Sequence, residues 1–159
     1  MSPRTRKAQW LAAAAGVLAV AAPLVLSGCA SGPGPRQAAV IPAGTQKRLL
    51  ALAEQMAKAV GDPDPEWISV VASTHEKAVQ ASSGDLAGGP DFPAYLITMK
   101  GHFTASDTTG PAGSKAPTGQ YVTLVVDART LQGTDFGIAP GPPPQSASSL
   151  GPVTYLKGP

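Results

Sequence analysis

The sequence predicts an α+β fold in which one N-terminal helix packs on a small three- or four-stranded antiparallel sheet. Two patterns indicate this fold: apolar residues recur at helical spacing from residue 49, and later segments alternate apolar and polar residues as strands do. One helix that covers one face of a small sheet is an economical way to bury both apolar surfaces. We expect the domain to span residues 45–159, including a Pro-rich C-terminal segment, around one modest core.

The helix is predicted over residues 45–60, TQKRLLALAEQMAKAV. Thr45 is the candidate N-cap, because a threonine hydroxyl can accept a hydrogen bond from the first free backbone N–H groups. Gly61 ends the pattern, and the prolines that follow it cannot continue a helix. The apolar stripe comprises Leu49, Leu52, Ala53, Met56 and Val60. We interpret this stripe as core rather than as a partner-binding face, because a lone amphipathic helix needs packing to be stable.

The strand-like segments follow the helix. Residues 67–79, WISVVASTHEKAV, are rich in β-branched residues and are interpreted as one strand or two short ones. Residues 120–128, QYVTLVVDA, form the strongest strand, and residues 134–138 are expected to pair back on it. Residues 150–156, LGPVTYL, are a short final segment expected to dock on the domain.

Residues 95–103 alternate regularly, so that one strand presents two different faces. One face carries Tyr95, Ile97, Met99 and Phe103, and the other carries Leu96, Thr98, Lys100 and His102. The helix stripe is expected to pack against the apolar strand positions Ile97, Met99, Val122 and Leu124.

The first 28 residues have the pattern of an export signal, with a basic start, MSPRTRK, before an uncharged stretch at residues 11–25. That stretch is shorter than the about 20 residues of a membrane-spanning helix. It is followed by Leu26-Ser27-Gly28-Cys29, which holds the only cysteine of the chain. This segment resembles the lipobox of bacterial lipoproteins, in which a leucine, a small residue and a glycine precede an invariant cysteine.

The resemblance implies that the Cys29 thiol is joined to diacylglycerol and that cleavage between Gly28 and Cys29 makes Cys29 the mature N-terminus. Membrane lipid is then a partner through acylated Cys29, and the protein is expected on the extracytoplasmic face of the cell membrane. Residues 29–44 are expected to form a Pro/Gly-rich tether. The alternative is a soluble protein with an ordinary signal and a chance buried cysteine. A lone cysteine forms no internal disulfide, and an acylated one performs no thiol chemistry.

The charge balance gives no indication of a nucleic-acid surface. Three of the 12 basic residues and none of the 10 acidic ones lie in the first 28 residues, which leaves nine bases against ten acids. A nucleic-acid surface would need clustered lysines and arginines. No nucleic-acid partner is therefore expected.

Residues 121–138, YVTLVVDARTLQGTDFGI, resemble the final hairpin of PepSY-like domains. Such hairpins run as an apolar strand, Val-Asp-Ala, a turn with Thr and Gly, and a second strand. Val126-Asp127-Ala128, Thr130 and Gly133 fit, whereas Leu131-Gln132 stand where that pattern passes directly from Thr to Gly. The resemblance covers about residues 45–138 and implies a fold, together with an envelope role such as restraining a peptidase or binding a partner protein. Cystatin-like helix-on-sheet folds and actinobacterial lipoproteins have a similar layout.

Candidate catalytic and metal-binding residues are few. HEKAV at residues 75–79 begins like a zinc-protease helix, but Val79 stands where the second histidine is required. His75, Glu76 and His102 would form a metal site only if their strands paired, and isolated surface histidines are the commoner arrangement. No cofactor is expected.

An acid–base pair could come from two of the three carboxylates Asp107, Asp127 and Asp135, although Asp127 is better explained as a turn former. The sequence therefore favours a non-enzymatic binding or accessory module of the cell envelope, with an envelope protein as its partner. The alternative is a small hydrolase or metal-binding protein that uses His75, His102 and nearby carboxylates. Residues 104–119 are interpreted as a hairpin loop, with partner binding or O-linked sugar as the alternative.

Overall fold

The structure, a computed structural model, describes residues 40–105 and 115–158. The predicted signal peptide, Cys29 and most of the tether lie outside the described residues, as do Asp107 and most of the predicted loop at 104–119. Within the described ranges, no helix combines the length and the apolar character that crossing a membrane requires.

The described chain has the order helix, strand, helix and then four strands. Helix α1 spans Ala43–Ala59 and helix α2 spans His75–Ser83. The strands are β1 Trp67–Thr74, β2 Pro93–Thr104, β3 Thr118–Asp127, β4 Gly133–Ala139 and β5 Thr154–Lys157. A single 3-10 turn at Ala147–Ser149 precedes β5. The α+β class is confirmed, with a second helix and a larger sheet than predicted.

The five strands form one antiparallel sheet in the order β4-β3-β2-β1-β5. The predicted hairpin is present, because β4 pairs with β3 along its length. The final segment, expected only to dock, supplies the edge strand β5, in which Tyr155 lies opposite Ser69 of β1.

Helix α1 covers one face of the sheet. Leu49, Ala53 and Ala57 are fully buried, while Leu52 and Met56 are half-buried beside them. The strand residues that share this core are apolar: Ile68, Val70, Ile97, Met99, Phe103, Val122, Leu124 and Val126. The predicted packing of the helix stripe on Ile97, Met99, Val122 and Leu124 is therefore confirmed.

The first turn of α1 differs from the prediction. Pro42 occupies the N-cap, and its carbonyl accepts from the backbone N–H of Gln46 at 2.9 Å. Thr45 lies inside the helix, so its predicted N-cap role is wrong; proline is well tolerated at a helix start because the missing N–H would have had no partner there. At the other end Gly61 has a φ of +86°, which confirms that it closes the helix.

The strand prediction for residues 67–79 is wrong in its second half. β1 ends at Thr74, and residues 75–79 belong to α2. The buried positions of α2 are His75, Ala78, Val79 and Ala81. They recur at helical spacing, so α2 can lay one side on the sheet face opposite α1. Gly84, with a φ of +82°, ends the helix.

Candidate functional site

The sheet face opposite α1 changes in character along its strands. Cross-strand partners share a face, and so do alternate residues of one strand, so the pairing register arranges this face in rows. The first row is apolar and packs against α2: Val71, Leu96 and Val125. The second row carries hydroxyl groups: Ser69, Thr98 and Thr123. The third row is Trp67, Lys100 and Tyr121.

The hydroxyl row is buried although it is polar. Ser69 is 3%, Thr98 4% and Thr123 8% exposed. The hydroxyl oxygen of Thr98 has no hydrogen-bond partner among the residues that the structure describes. Burying an unpaired hydroxyl costs about 1–3 kcal/mol, so stability alone does not explain a threonine at this position.

The third row and the edge strand bring three aromatic rings together. The Trp67 ring stands edge-on to Tyr121, with centroids 6.2 Å apart and planes at 68°. It stands edge-on to Tyr155 of β5 as well, at 6.1 Å and 79°. Tyr155 is 53% exposed, so the cluster opens to solvent at the sheet edge.

These rings line an open hollow of about 600 Å³, here named the aromatic cleft. Its floor and sides are formed by Trp67, Ser69, Thr98, Tyr121 and Tyr155, and its wall by Pro142, Pro143, Gln145, Ser146, Ala147, Ser148 and Val153. None of the described residues that line it is charged. Its volume and mixed aromatic and polar lining are typical of ligand sites.

Lys100 contributes little free charge near the cleft. Its Nζ lies 2.7 Å from Oε2 of Glu66, and this hydrogen bond and charge hold the pKa of Lys100 above its usual value. The amine is therefore charged and already paired.

Residues 140–144, PGPPP, form a proline strap across the same face. Pro142 and Pro143, with Tyr121, also line a second hollow of about 670 Å³ on the other side of the strap. Directly after the strap, the backbone N–H of Gln145 donates a hydrogen bond to the carbonyl of Ala81 in α2, at 3.3 Å. The prolines of the strap therefore line both hollows, and the larger hollow also borders α2 through Val79, Ser82 and Ser83.

His75 forms a contact that links α2 to β4. Its Nε2 lies 2.7 Å from Oδ2 of Asp135, and its ring stacks on Phe92 at 4.5 Å with planes 17° apart. His75 is 8% exposed, and its backbone N–H donates to the carbonyl of Phe92. The ring is held by packing on one side and by a carboxylate on the other.

The structure does not form the metal site considered for His75, Glu76 and His102. His75 bonds to residue 92 just before β2, whereas His102 lies near the far end of that strand. At about 3.3 Å per strand residue the two histidines are about 30 Å apart. Across residues 40–105 and 115–158, no group of three His, Cys, Asp or Glu side chains is arranged to hold a metal ion.

Asp127 is a turn former, as the sequence predicts. Its Oδ1 accepts from the backbone N–H groups of Arg129 at 2.7 Å and Thr130 at 3.3 Å, and these bonds hold the pKa of Asp127 below its usual value. Leu131, one of the two residues that depart from the PepSY-like pattern, has a left-handed φ of +56° in this turn. Asp135 instead pairs with His75. Asp127 and Asp135 are therefore each bonded to a different group.

Sequence patterns did not identify the aromatic cleft. Its rings come from β1, β3 and β5, and the position of β5 depends on pairing across almost the whole domain. One signal was present: Trp67 and Ser69, like Tyr121 and Thr123, occupy the face that alternation leaves outside the main apolar core.

No protein family, no curated protein and no solved structure matches the chain.

Proposed function

We propose that this protein is a membrane-anchored extracytoplasmic lipoprotein and that its domain is a non-enzymatic binding module of the cell envelope. The aromatic cleft is the observation that carries the binding function. It is open and uncharged, and it joins aromatic surface to hydroxyl groups in a volume that suits a ligand. The lipobox resemblance at Leu26-Ser27-Gly28-Cys29 supports the anchor.

The way the cleft is built also favours binding. Trp67, Tyr121 and Tyr155 lie on three strands whose register is fixed by backbone pairing. Side chains on regular elements are held more firmly than those on loops, which lowers the ordering cost when a ligand arrives.

We favour this function over a hydrolase or metal protein based on His75, His102 and carboxylates. The contact that best supports the alternative is the 2.7 Å pair of His75 and Asp135. That pair has a structural explanation, because it joins the buried start of α2 to β4 beside the stacked Phe92 ring. His102 lies at the distant end of β2 and adds nothing to it.

The anchor is tested by feeding cells an alkyne analogue of palmitate and comparing the wild type with Cys29→Ser. We expect label and detergent-phase partitioning for the wild type and loss of both in the variant, since two or three acyl chains hold a protein stably in a membrane. An unlabelled wild type, or a variant that keeps its label, would refute the lipoprotein assignment.

The binding function is tested with a photo-crosslinking residue at Ser148, which lines the aromatic cleft, and with a matched control at Glu54, on the solvent side of α1. After irradiation of whole envelopes, mass spectrometry of the labelled peptides reports adducts of any size. We expect adducts specific to position 148 that disappear when Tyr155→Ala is added. Identical adducts at both positions, or none at 148, would contradict a binding role for this cleft.

A further inference from the structure

We propose that the aromatic cleft binds an uncharged, proline-rich peptide segment in the extended polyproline II conformation. This inference rests on the proposed binding function and names the chemistry of its partner. A polyproline II helix has three residues per turn and no internal hydrogen bonds, so it presents both apolar rings and free carbonyl groups to a receptor.

The ring geometry of the cleft suits the apolar part of such a ligand. Trp67 stands nearly perpendicular to both tyrosines, at 68° and 79°. Rings set at these angles form ridges with recesses between them rather than one flat platform. Aromatic-lined grooves of this kind receive proline rings in several families of peptide-binding domains.

The polar atoms of the cleft suit the peptide backbone. The indole N–H of Trp67 and the hydroxyls of Tyr121 and Tyr155 make no hydrogen bond within the part of the chain that the structure describes. Each is a donor, and the carbonyl groups of a polyproline II helix are acceptors without partners of their own. Gln145 on the wall supplies a further amide group.

The protein itself already places prolines in this environment. Pro142 and Pro143 of the proline strap form one wall of the aromatic cleft, beside Tyr121. The lining is free of formal charge among the described residues, and Lys100 is paired with Glu66, which favours an uncharged ligand over an acidic or basic one. A neutral oligosaccharide also combines apolar faces with hydroxyls, but the proline wall favours the peptide.

The test uses the protein purified from membranes in a polyoxyethylene detergent, with Trp10→Phe so that Trp67 is the only tryptophan whether or not the signal segment is cleaved. The probe is capped decaproline, titrated while Trp67 fluorescence is recorded. Two control ligands are used. One is a capped Gly-Ser decamer, which has the same length and end groups but does not hold the polyproline II conformation. The other is maltohexaose. We expect a saturable change with decaproline only.

Two variants locate the response. Tyr155→Ala, at the exposed edge of the cleft, is expected to weaken decaproline binding about tenfold, the equivalent of one to two aromatic contacts. Phe136→Ala, 44% exposed on β4 and on the face of α1, is expected to leave it unchanged. Far-UV circular dichroism checks that both variants fold, and Tyr155→Phe, which loses only the hydroxyl, provides a milder variant expected to weaken binding two- to threefold.

Three other results would each contradict the proposal, and each can be told apart from the others. Equal responses to decaproline and the Gly-Ser decamer would refute proline recognition. Saturation by maltohexaose alone would overturn the peptide proposal and leave the cleft as a carbohydrate-binding site, so that the binding function would stand. Decaproline binding unaffected by both Tyr155 variants would place the site elsewhere and refute the role of the cleft.

Discussion

The two faces of the sheet are built from the same strands and differ in almost every other respect. The buried core on the α1 face is apolar and is covered by a helix of 17 residues. The opposite face is apolar only beneath α2, a helix of nine residues, and continues as hydroxyl and aromatic rows. The α1 face is therefore a continuous core, whereas the apolar core of the opposite face is limited to the row beneath α2.

Helix length accounts for this difference. At 1.5 Å per residue α1 is about 25 Å long, similar to the eight-residue strand β1, whereas α2 is only about 14 Å long. The rows beyond α2 contain the buried Thr98, whose hydroxyl has no partner among the described residues, and lie beside the solvent-exposed Tyr155. A second helix too short for its sheet therefore leaves a prepared surface on which function can be placed.

The strongest way to break the α1 face is Leu49→Asp. Leu49 is fully buried, and an unpaired charge in an apolar core costs several kcal/mol, which is comparable with the whole stability of a small domain. We expect loss of the cooperative urea transition. Lys58→Asp, on the exposed side of the same helix, is the control and is expected to shift the midpoint only slightly. A cooperative Leu49→Asp transition near that of the wild type would mean that α1 is not a core element.

The sharpest comparison within the second face uses two residues of β2 that lie two positions apart. Leu96→Ala in the apolar row removes a buried side chain and is expected to cost about 2–5 kcal/mol. Thr98→Val in the hydroxyl row keeps the shape and removes an unpaired hydroxyl, so it is expected to be neutral or stabilising by about 1 kcal/mol. Urea unfolding measures both. A Thr98→Val cost equal to that of Leu96→Ala would show that the hydroxyl row serves the fold.

The link between α2 and β4 is tested with His75→Ala. This change removes the hydrogen bond to Asp135 and the ring stack on Phe92, and we expect a loss of about 1–3 kcal/mol. His102→Ala, at the exposed end of β2, is the matched control and is expected to stay within about 0.5 kcal/mol. Added Zn²⁺ is expected to leave the melting temperature of the wild type unchanged. A zinc-dependent rise that His75→Ala abolishes would instead support the metal-binding alternative.

The smallest expected effect concerns pH and the N-terminus of α2. The backbone N–H of Glu76 donates to Oδ1 of Asp91 at 2.9 Å and holds the pKa of that carboxyl below its usual value. Because the folded pKa is the lower one, the carboxylate stabilises the fold above about pH 4 and loses this effect as pH falls through the folded pKa. Asp91→Asn is therefore expected to be less stable than the wild type at pH 7, with the difference shrinking in acid. A difference that is the same at pH 7 and pH 2.5 would contradict this.

The sequence predicted the α1 face much better than the second face, for a physical reason. The stripe of α1 and the alternation of β2 and β3 are long local patterns, and each repeats several times before it ends. Ile97, Met99, Val122 and Leu124 could therefore be assigned to the core without knowledge of the pairing. The N-cap was missed because Pro42 starts the helix without a side-chain hydrogen bond.

The second face was harder to predict because its elements are short and its contacts distant. Helix α2 has nine residues and continues directly from a β-branched strand, so its few helical repeats were hidden. Gly84 was the available signal, since its left-handed conformation is typical of a helix end. The pair of His75 with Asp135 and the meeting of Trp67 with Tyr155 depend on sheet register, which no local pattern specifies.

The position of β5 has a kinetic consequence. The strand nearest the C-terminus pairs with the first strand of the sheet, so the outer edge of β1 acquires its partner only after nearly the whole domain has been synthesised. Such distant pairing slows folding, and an unpaired strand edge can template aggregation while it waits. The same arrangement makes a protease cut near Gly151 disproportionately damaging. Release of the last residues would reopen that edge and carry Tyr155 away from the aromatic cleft in one event.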